Sequence, residues 1–379
     1  MSRTRYGIDR DALEGLVLEL GQPRYRAEQA WGALYRPIPL EEETALPRDL
    51  RVQLAETLPL GLEPVVEATS VDELTTKWLY AAGADCAQVE TVLMRSSKRA
   101  SVCISSQAGC AMGCTFCATG QAGLERHLDV GEIVEQVVRA ALVAPQRVTN
   151  VVYMGMGEPL ANYEPVWSSV ERIHGALGLS ARKITISTVG IVPGMRRLAE
   201  EDLPVTLAVS LHAPDDDLRA QLVPLNRRYP IAEILDAAAE VAGSRGRRVT
   251  FEYACIAGVN DAPALGRSLG RLLRAWPGVG GAHVNLIPLN PTADFAGRAT
   301  SVRRLGDFAA ELESAGVHAT VRRNRGVDID AACGQLRTRH LVPEPGIRDP
   351  ATPDPATPDP ADRDPADRDQ APPSTRMDK

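Results

Sequence analysis

The stretch SQAGCAMGCTFCATG, residues 106–120, places three cysteines close together at Cys110, Cys114 and Cys117. Structural zinc sites are normally closed by four protein ligands, whereas a 4Fe-4S cluster held by three thiolates leaves one iron open to another molecule. The alternative is a set of ordinary buried cysteines on one helical face, because the spacing i, i+4, i+7 also fits a helix. The glycines of this stretch disfavour a helix, so the pattern predicts a loop that binds an iron-sulfur cluster.

On both sides of the cysteines, predicted strands alternate with predicted helices from residue 101 to about residue 325. The first pair is SVCISS followed by GEIVEQVVRAALV, and the last is HVNLIPLN followed by VRRLGDFAAELESAG. About six such units indicate an α/β protein with a parallel sheet, and we predict a partial (β/α)6 barrel. In such folds the loops that follow the strands carry the functional residues.

The chain divides into four predicted segments. They are a small helical accessory domain (1–62), a β-hairpin extension (63–100), the barrel (101–340) and a tail (341–379). Asp11 is predicted to cap the first helix, ALEGLVLEL, and Asp129 with Glu132 resembles a capping box for the helix after the cysteine loop. The tail repeats a Pro- and Asp-rich pentad with nothing to bury, so we expect it to be disordered.

Composition bounds the class of protein. The 379 residues are 44% hydrophobic, enough for a sizeable core, and no apolar stretch approaches the length of a membrane span. The charged N-terminus does not resemble a signal peptide, and the odd number of cysteines favours reduced thiols, so we expect a cytoplasmic protein. The net charge is -7, but residues 344–379 hold nine acidic and five basic side chains, so the body is nearly neutral and a nucleic-acid partner stays possible.

Several polar or glycine-rich motifs follow directly after predicted strands. A single strand-end residue of this kind is usually a cap or a turn, but several at one edge, beside three thiols, indicate a cofactor pocket. The candidate cofactor-binding residues are Gly157, Glu158, Ser187, Ser210, Leu211, His212 and Asn290. We interpret His212 as a hydrogen-bonding residue rather than a metal ligand, because no other histidine has ligand spacing to it.

The motifs together resemble a known family. CAMGCTFC, GEP, SLHAP and NLIPLNP are similar to motifs of the radical S-adenosylmethionine (SAM) superfamily. SSQAGC, ATGQAG and DIDAACGQL resemble the RlmN/Cfr group of RNA adenosine methyltransferases, and the resemblance runs from about Gln22 to Leu336. It implies a 4Fe-4S cluster on the three cysteines, SAM on the open iron, 23S rRNA and tRNA as substrates, and a reductant such as flavodoxin or ferredoxin. We expect a monomer.

The resemblance also implies roles for three residues outside the cluster. Cys333 takes a methyl group from one SAM, and a radical derived from a second SAM activates that methyl group for addition to carbon 2 of adenine. By motif position, Glu90 is implied as the base and Cys103 as the thiol that releases the product by forming a disulfide with Cys333. Taken without the family, Cys103 is better explained as a core cysteine and Glu90 as an ordinary strand-face acid.

Two other functions are compatible with these motifs. One is the Cfr-like methylation of carbon 8 of the same ribosomal adenosine, since both activities share the motifs. The other is a non-catalytic iron-sulfur protein that binds RNA, which would need neither Cys103 nor Cys333. The presence of both thiols favours the methyltransferase.

Removing residues 344–379 should leave the melting temperature and the turnover nearly unchanged, because the pentad repeats of this segment lack large apolar residues and contribute no buried area. Thermal unfolding of the full and truncated chains checks this. A drop of several degrees in the truncated chain would show that the tail docks on the body.

Overall fold

The structure is a computed structural model that describes residues 4–290, 292, 295–322 and 329. It opens with three α-helices, α1 (Arg10–Glu19), α2 (Tyr25–Leu34) and α3 (Arg48–Thr57). Their apolar faces share one continuous core with the helices and strands that follow. The helical character predicted for this region is confirmed, while its boundary at residue 62 stays a prediction.

The N-cap predicted for α1 was wrong by two residues. The Asp9 side chain accepts a hydrogen bond from the Ala12 backbone N–H at 2.8 Å, and Asp11 lies within the first turn of the helix. From the sequence alone, either Asp9 or Asp11 could be the N-cap of α1. Only the one with extended backbone can accept the bond, and Asp9 has that conformation, with φ -90° and ψ 173°.

Four strands follow the helices, and each pairs antiparallel with the next: β1 (Leu62–Thr69), β2 (Thr75–Ala82), β3 (Ala87–Arg95) and β4 (Ala100–Cys103). The predicted hairpin is β2 with β3, and β1 adds a strand that was not predicted. Lys77 of β2 lies opposite Val92 of β3, which in turn lies opposite Cys103 of β4. These three residues therefore form a row across the sheet.

The rest of the chain builds the parallel part of the sheet. Its strands after β4 are β7 (Val148–Tyr153), β8 (Ile184–Thr188), β9 (Thr206–Ser210), β10 (Thr250–Cys255), β11 (His283–Pro288) and β12 (His318–Val321). The connecting helices are α5 (Val130–Val143), α6 (Tyr163–Gly175), α7 (Val192–Glu200), α8 (Asp216–Leu222), α9 (Ile231–Arg245), α10 (Pro263–Arg274) and α11 (Val302–Ser314). A short helix α4 (Ala118–Gln121) and a small antiparallel pair, β5 (Gln107–Gly109) and β6 (Leu124–His127), lie between β4 and α5.

The ten strands pair in the order β1-β2-β3-β4-β7-β8-β9-β10-β11-β12, and every pair from β4 onward is parallel. The α/β class and the six strand–helix units are therefore confirmed, and β12 is a seventh parallel strand. β1 and β12 form the edges of the described sheet, so the sheet is open in this part of the chain. Because these strands are parallel, their carboxyl ends all lie at one edge of the sheet.

The predicted capping box of α5 is confirmed. The Asp129 side chain accepts from the Glu132 N–H at 2.9 Å, and the Glu132 side chain accepts from the Asp129 N–H at 3.0 Å. Arg126 also forms a bidentate ion pair with Glu132 and donates from Nε to Asp85, in the β2–β3 turn, at 2.7 Å. The start of α5 is thus tied to the antiparallel hairpin. No helix within the described ranges is both long and apolar enough to cross a membrane.

Asp9→Ala should lower the free energy of unfolding by about 1 kcal/mol, because it removes the side-chain acceptor of the helix cap. Asp11→Ala is the matched control and should cost only a few tenths of a kcal/mol, since it removes a favourable charge near the helix N-terminus but no cap. Urea unfolding of both variants measures the difference. An equal loss in the two variants would contradict the assignment of Asp9 as the cap.

Candidate active site

The three cysteines lie in an irregular loop between β5 and α4, and α4 begins only after Cys117. The helical-stripe alternative is therefore wrong. Gly109 precedes the loop with φ 78°, and a Cβ there would overlap the carbonyl oxygen of Gly123. The Cys110 N–H donates to that same carbonyl at 2.8 Å, so the glycine lets the loop close tightly on itself.

The three thiols influence one another. Cys110 and Cys114 are buried and Cys117 is partly exposed. Burial raises the pKa of Cys110 to about 12, and burial followed by the charges of Cys117 and Cys110 raises the pKa of Cys114. Burial also raises the pKa of Cys117. Three neighbouring thiolates, two of them buried, repel one another, so this donor set needs a cationic centre to ionise together, and an iron-sulfur cluster supplies one.

A single metal ion fits the loop less well than a cluster. In the described part of the chain, no three His, Cys, Asp or Glu side chains converge as the ligands of one ion do. The thiolates of a four-iron cluster bind different iron atoms of one larger centre, so they stand farther apart than the ligands of a single ion do. The chemistry of the donor set therefore agrees with the cluster predicted from the spacing.

The cysteine loop packs against the carboxyl ends of several strands. Cys114 belongs to a small apolar cluster with residues at the end of α8 and just after β10 and β11, namely Leu222, Val223, Ile256 and Leu289. Phe116 meets the ring of His212, just after β9, edge to face with 4.9 Å between ring centroids. The loop thus lies at the edge where the parallel strands end, as predicted.

Glu158 of the GMGEP motif is buried and ties two loops together. One carboxylate oxygen accepts from the Leu160 N–H at 3.0 Å and the other from the Val189 N–H at 2.8 Å. Burial raises the pKa of Glu158 to about 7, although these hydrogen bonds act to lower it. The loop after β7 is therefore locked to the loop after β8, and direct contact of this carboxylate with a cofactor stays a prediction.

Gly157 has φ 103°, and a Cβ there would overlap the side chain of Gln107. The Gln107 amide oxygen accepts from the Glu158 N–H at 2.7 Å. The motif glycine thus lets the GMGEP loop approach the strand that leads into the cysteines. A side chain at this position would push the two loops apart.

His212 is a hydrogen-bonding residue in the described structure. Its Nδ1 accepts from the Ala254 N–H at 3.0 Å, and its φ is 62°. Burial, and then the charge of Arg219, lowers the pKa of His212 to about 3, so the ring is neutral. This geometry agrees with the interpretation of His212 as a hydrogen-bonding residue. The imidazole ring also contacts the cysteine loop at the ring of Phe116.

The other candidates of the pocket lie on the same edge. Ser187 is the penultimate residue of β8, Ser210 ends β9, and Leu211 follows Ser210 in the buried core. Asn290 is partly buried, two residues after β11. The structure thus places these residues at or just after strand ends on this edge, while their contact with SAM stays a prediction. Cys333 lies outside the described residues.

Arg219 is a structural centre of this edge that was not predicted from the sequence. It is fully buried and donates to the carbonyl oxygens of Val189, Ser210 and Leu211 and to the Asn226 side chain, at distances of 2.6–3.0 Å. Burial lowers its pKa to about 10. In the sequence Arg219 sits in the polar run DDLRAQL, which resembles an exposed helix, so no local signal identifies it.

Glu90 and Cys103 lie on neighbouring strands, β3 and β4. Glu90 is 2% exposed and forms an ion pair with Lys77 of β2, with 3.0 Å between Nζ and Oε2 and 0% exposure of the lysine. Burial raises the pKa of Cys103 to about 12, the positive charge of Lys77 lowers it, and the negative charge of Glu90 raises it. Burial, and to a smaller extent the charge of Glu90, raises the pKa of Cys117.

Comparison with known proteins agrees with this geometry. A family model described as "Radical SAM superfamily" matches residues 104–265, from the end of β4 into α10. A protein from Symbiobacterium thermophilum named "Probable dual-specificity RNA methyltransferase RlmN" is 50% identical over 341 residues, which cover 88% of this chain and 91% of that protein. The chain belongs to the RlmN family.

Further relatives support the family assignment. A protein of the same name from Salinispora tropica is 51% identical over 338 residues, covering 85% of this chain and 89% of the relative. A crystal structure of a radical SAM methyltransferase from Sphaerobacter thermophilus superposes with a TM-score of 0.82 at 49% identity, covering 88% of this chain and 99% of that one. The resemblance to the RlmN/Cfr group inferred from the motifs is confirmed.

Changing Cys110, Cys114 or Cys117 to alanine should abolish the brown iron-sulfur absorbance and all SAM cleavage, because two thiolates cannot hold the cluster with one iron open. Cys86→Ala is the matched control, since Cys86 is exposed in the β2–β3 turn, and it should keep its iron. Absorbance spectra and iron assays after anaerobic reconstitution give the readout. Normal iron content in one of the three variants would remove that residue from the ligand set.

Proposed function

We propose that this chain is a radical SAM enzyme that methylates carbon 2 of an adenosine in 23S rRNA and of the adenosine beside the anticodon in tRNA. The observation that carries the proposal is the placement of three cysteine thiols at the strand-end edge, with Glu90 and Cys103 on the adjoining strands. The relatives are named as probable dual-specificity RNA methyltransferases, which supports RNA as the substrate. A flavodoxin or ferredoxin is the proposed electron donor.

Cys110, Cys114 and Cys117 would hold the cluster, and the strand-end loops would hold SAM. When bound, the two groups supply one-electron chemistry, which carbon 2 of adenine requires because this electron-poor ring carbon cannot attack a methyl sulfonium. The protein's part is to keep the loops rigid. Glu158 and Arg219 do so by satisfying the backbone groups of the loops after β7, β8 and β9.

Three side chains would act on the methyl group and the adenosine. Cys333 carries the methyl group as a thioether and becomes joined to carbon 2 through it. Glu90 would take the proton from carbon 2, while the unpaired electron of the adduct returns to the electron-transfer system that supplied it. Cys103 would then attack the sulfur of Cys333 and form the disulfide; the electron pair of the broken sulfur–carbon bond stays on the methylene carbon, and a proton, equal to the one that the Cys103 thiol loses, completes the methyl group. The raised pKa of Cys103 supports a thiol that still holds its proton when the adduct forms.

The proposal is tested by anaerobic reconstitution with SAM and a reductant on unmodified 23S rRNA and tRNA, followed by mass spectrometry of the nucleosides. We expect 2-methyladenosine in both RNAs. An 8-methyl product in the ribosomal RNA would assign the Cfr-like activity instead, and methylation of only one RNA would restrict the substrate range. SAM cleavage without any modified nucleoside would contradict the proposal.

Cys103→Ala separates the roles of the two thiols outside the cluster. The variant should still methylate Cys333 and join it to RNA, but without a thiol to attack the shared sulfur it should stall as a covalent protein–RNA complex. A nuclease-sensitive band of higher mass on a denaturing gel is the readout, and it should be absent from Cys103→Ala/Cys333→Ala. Normal turnover of Cys103→Ala without such a band would return Cys103 to the role of a core cysteine.

A further inference from the structure

Lys77 is a charged residue in a place where charge is costly. It lies in β2, is 0% exposed, and pairs with Glu90, itself 2% exposed, at 3.0 Å. Removing two charges from water costs several kcal/mol per ion, and replacing such a pair by apolar residues is often neutral or stabilising. Stability alone therefore does not account for a lysine at this position.

Strand register places this ion pair on the same face as Cys103. Lys77 lies opposite Val92, and Val92 lies opposite Cys103. Residues directly opposite each other on neighbouring strands point to the same face, and so do residues two apart on one strand, such as Glu90 and Val92. The lysine, the glutamate and the thiol thus share one face of the sheet across three strands.

The charges of the pair reach the thiol. The positive charge of Lys77 and the negative charge of Glu90 both act on the Cys103 sulfur. The Lys77 ammonium lies 3.0 Å from one carboxylate oxygen of Glu90, and both side chains are buried. The same contact fixes which way the carboxylate faces.

Resting on the proposed function, we propose that Lys77 is a positioning residue that holds the carboxylate of Glu90, the base, in one orientation beside Cys103. The Glu90 carboxylate accepts the proton from carbon 2 of the adenosine, and Lys77 touches neither the adenosine nor the sulfur atoms. Loss of Lys77 should therefore impair one step, release of the methylated RNA, and spare the steps before it.

The test compares Lys77→Met, Lys77→Arg, Glu90→Gln and Lys77→Met/Glu90→Gln in the full chain. Lys77→Met should keep the iron-sulfur absorbance and the methylation of Cys333, but its turnover should fall about 100-fold, the size of a general-base contribution. It should also accumulate the nuclease-sensitive protein–RNA band, as Glu90→Gln does. Lys77→Arg should restore part of the turnover. Lys183→Met, at the exposed amino end of β8, is the matched control and should behave as wild type.

The double variant separates positioning from folding. Lys77→Met removes the cation that faces a buried carboxylate and should lower the melting temperature, whereas Lys77→Met/Glu90→Gln removes both charges and should recover it. We expect the double variant to stay as slow as Glu90→Gln and to form the same band. Recovery of turnover together with stability would overturn the proposal, as would wild-type turnover of Lys77→Met.

Two controls show which proposal has failed. If Cys103→Ala accumulates the band and Lys77→Met, with its cluster intact, does not, the role of Lys77 is wrong and the proposed function stands. If wild-type protein modifies no adenosine and Cys103→Ala forms no band, the proposed function fails and the role of Lys77 fails with it.

Discussion

Parallel pairing from β4 to β12 is the constraint on which the candidate site depends. Because these strands run in the same direction in sequential order, the loops that follow them all open at one edge. Glu158 follows β7 and His212 follows β9, and the cysteine loop, which follows the short strand β5, packs against the same edge. There it contacts residues just after β9, β10 and β11.

Buried polar groups then make that edge rigid. The ends of parallel strands leave carbonyl and N–H groups without partners in the sheet, and burying such groups unsatisfied is costly. Arg219 satisfies three carbonyl oxygens, and Glu158 satisfies two N–H groups on two loops. Since each of these side chains contacts more than one loop, the loops cannot shift independently.

The sequence predicted the features whose signals are local. The cysteine spacing, the alternation of strands and helices and the α5 capping box each depend on residues a few positions apart, and all three agree with the structure. Arg219 and Lys77 escaped prediction because their partners are distant in the chain or on other strands. The cap at Asp9 was missed because the choice between two nearby aspartates depends on backbone conformation, which composition does not reveal.

The strand β4 joins the antiparallel and parallel halves of the sheet, and Cys103 is at its end. Val92 lies opposite Cys103 on one side and Val152 on the other, so its backbone is held by two neighbours. Its remaining freedom is essentially rotation about the Cα–Cβ bond, with a handful of staggered positions. A thiol mounted in this way is preorganised: little conformational entropy remains to be lost when a reacting sulfur comes within range.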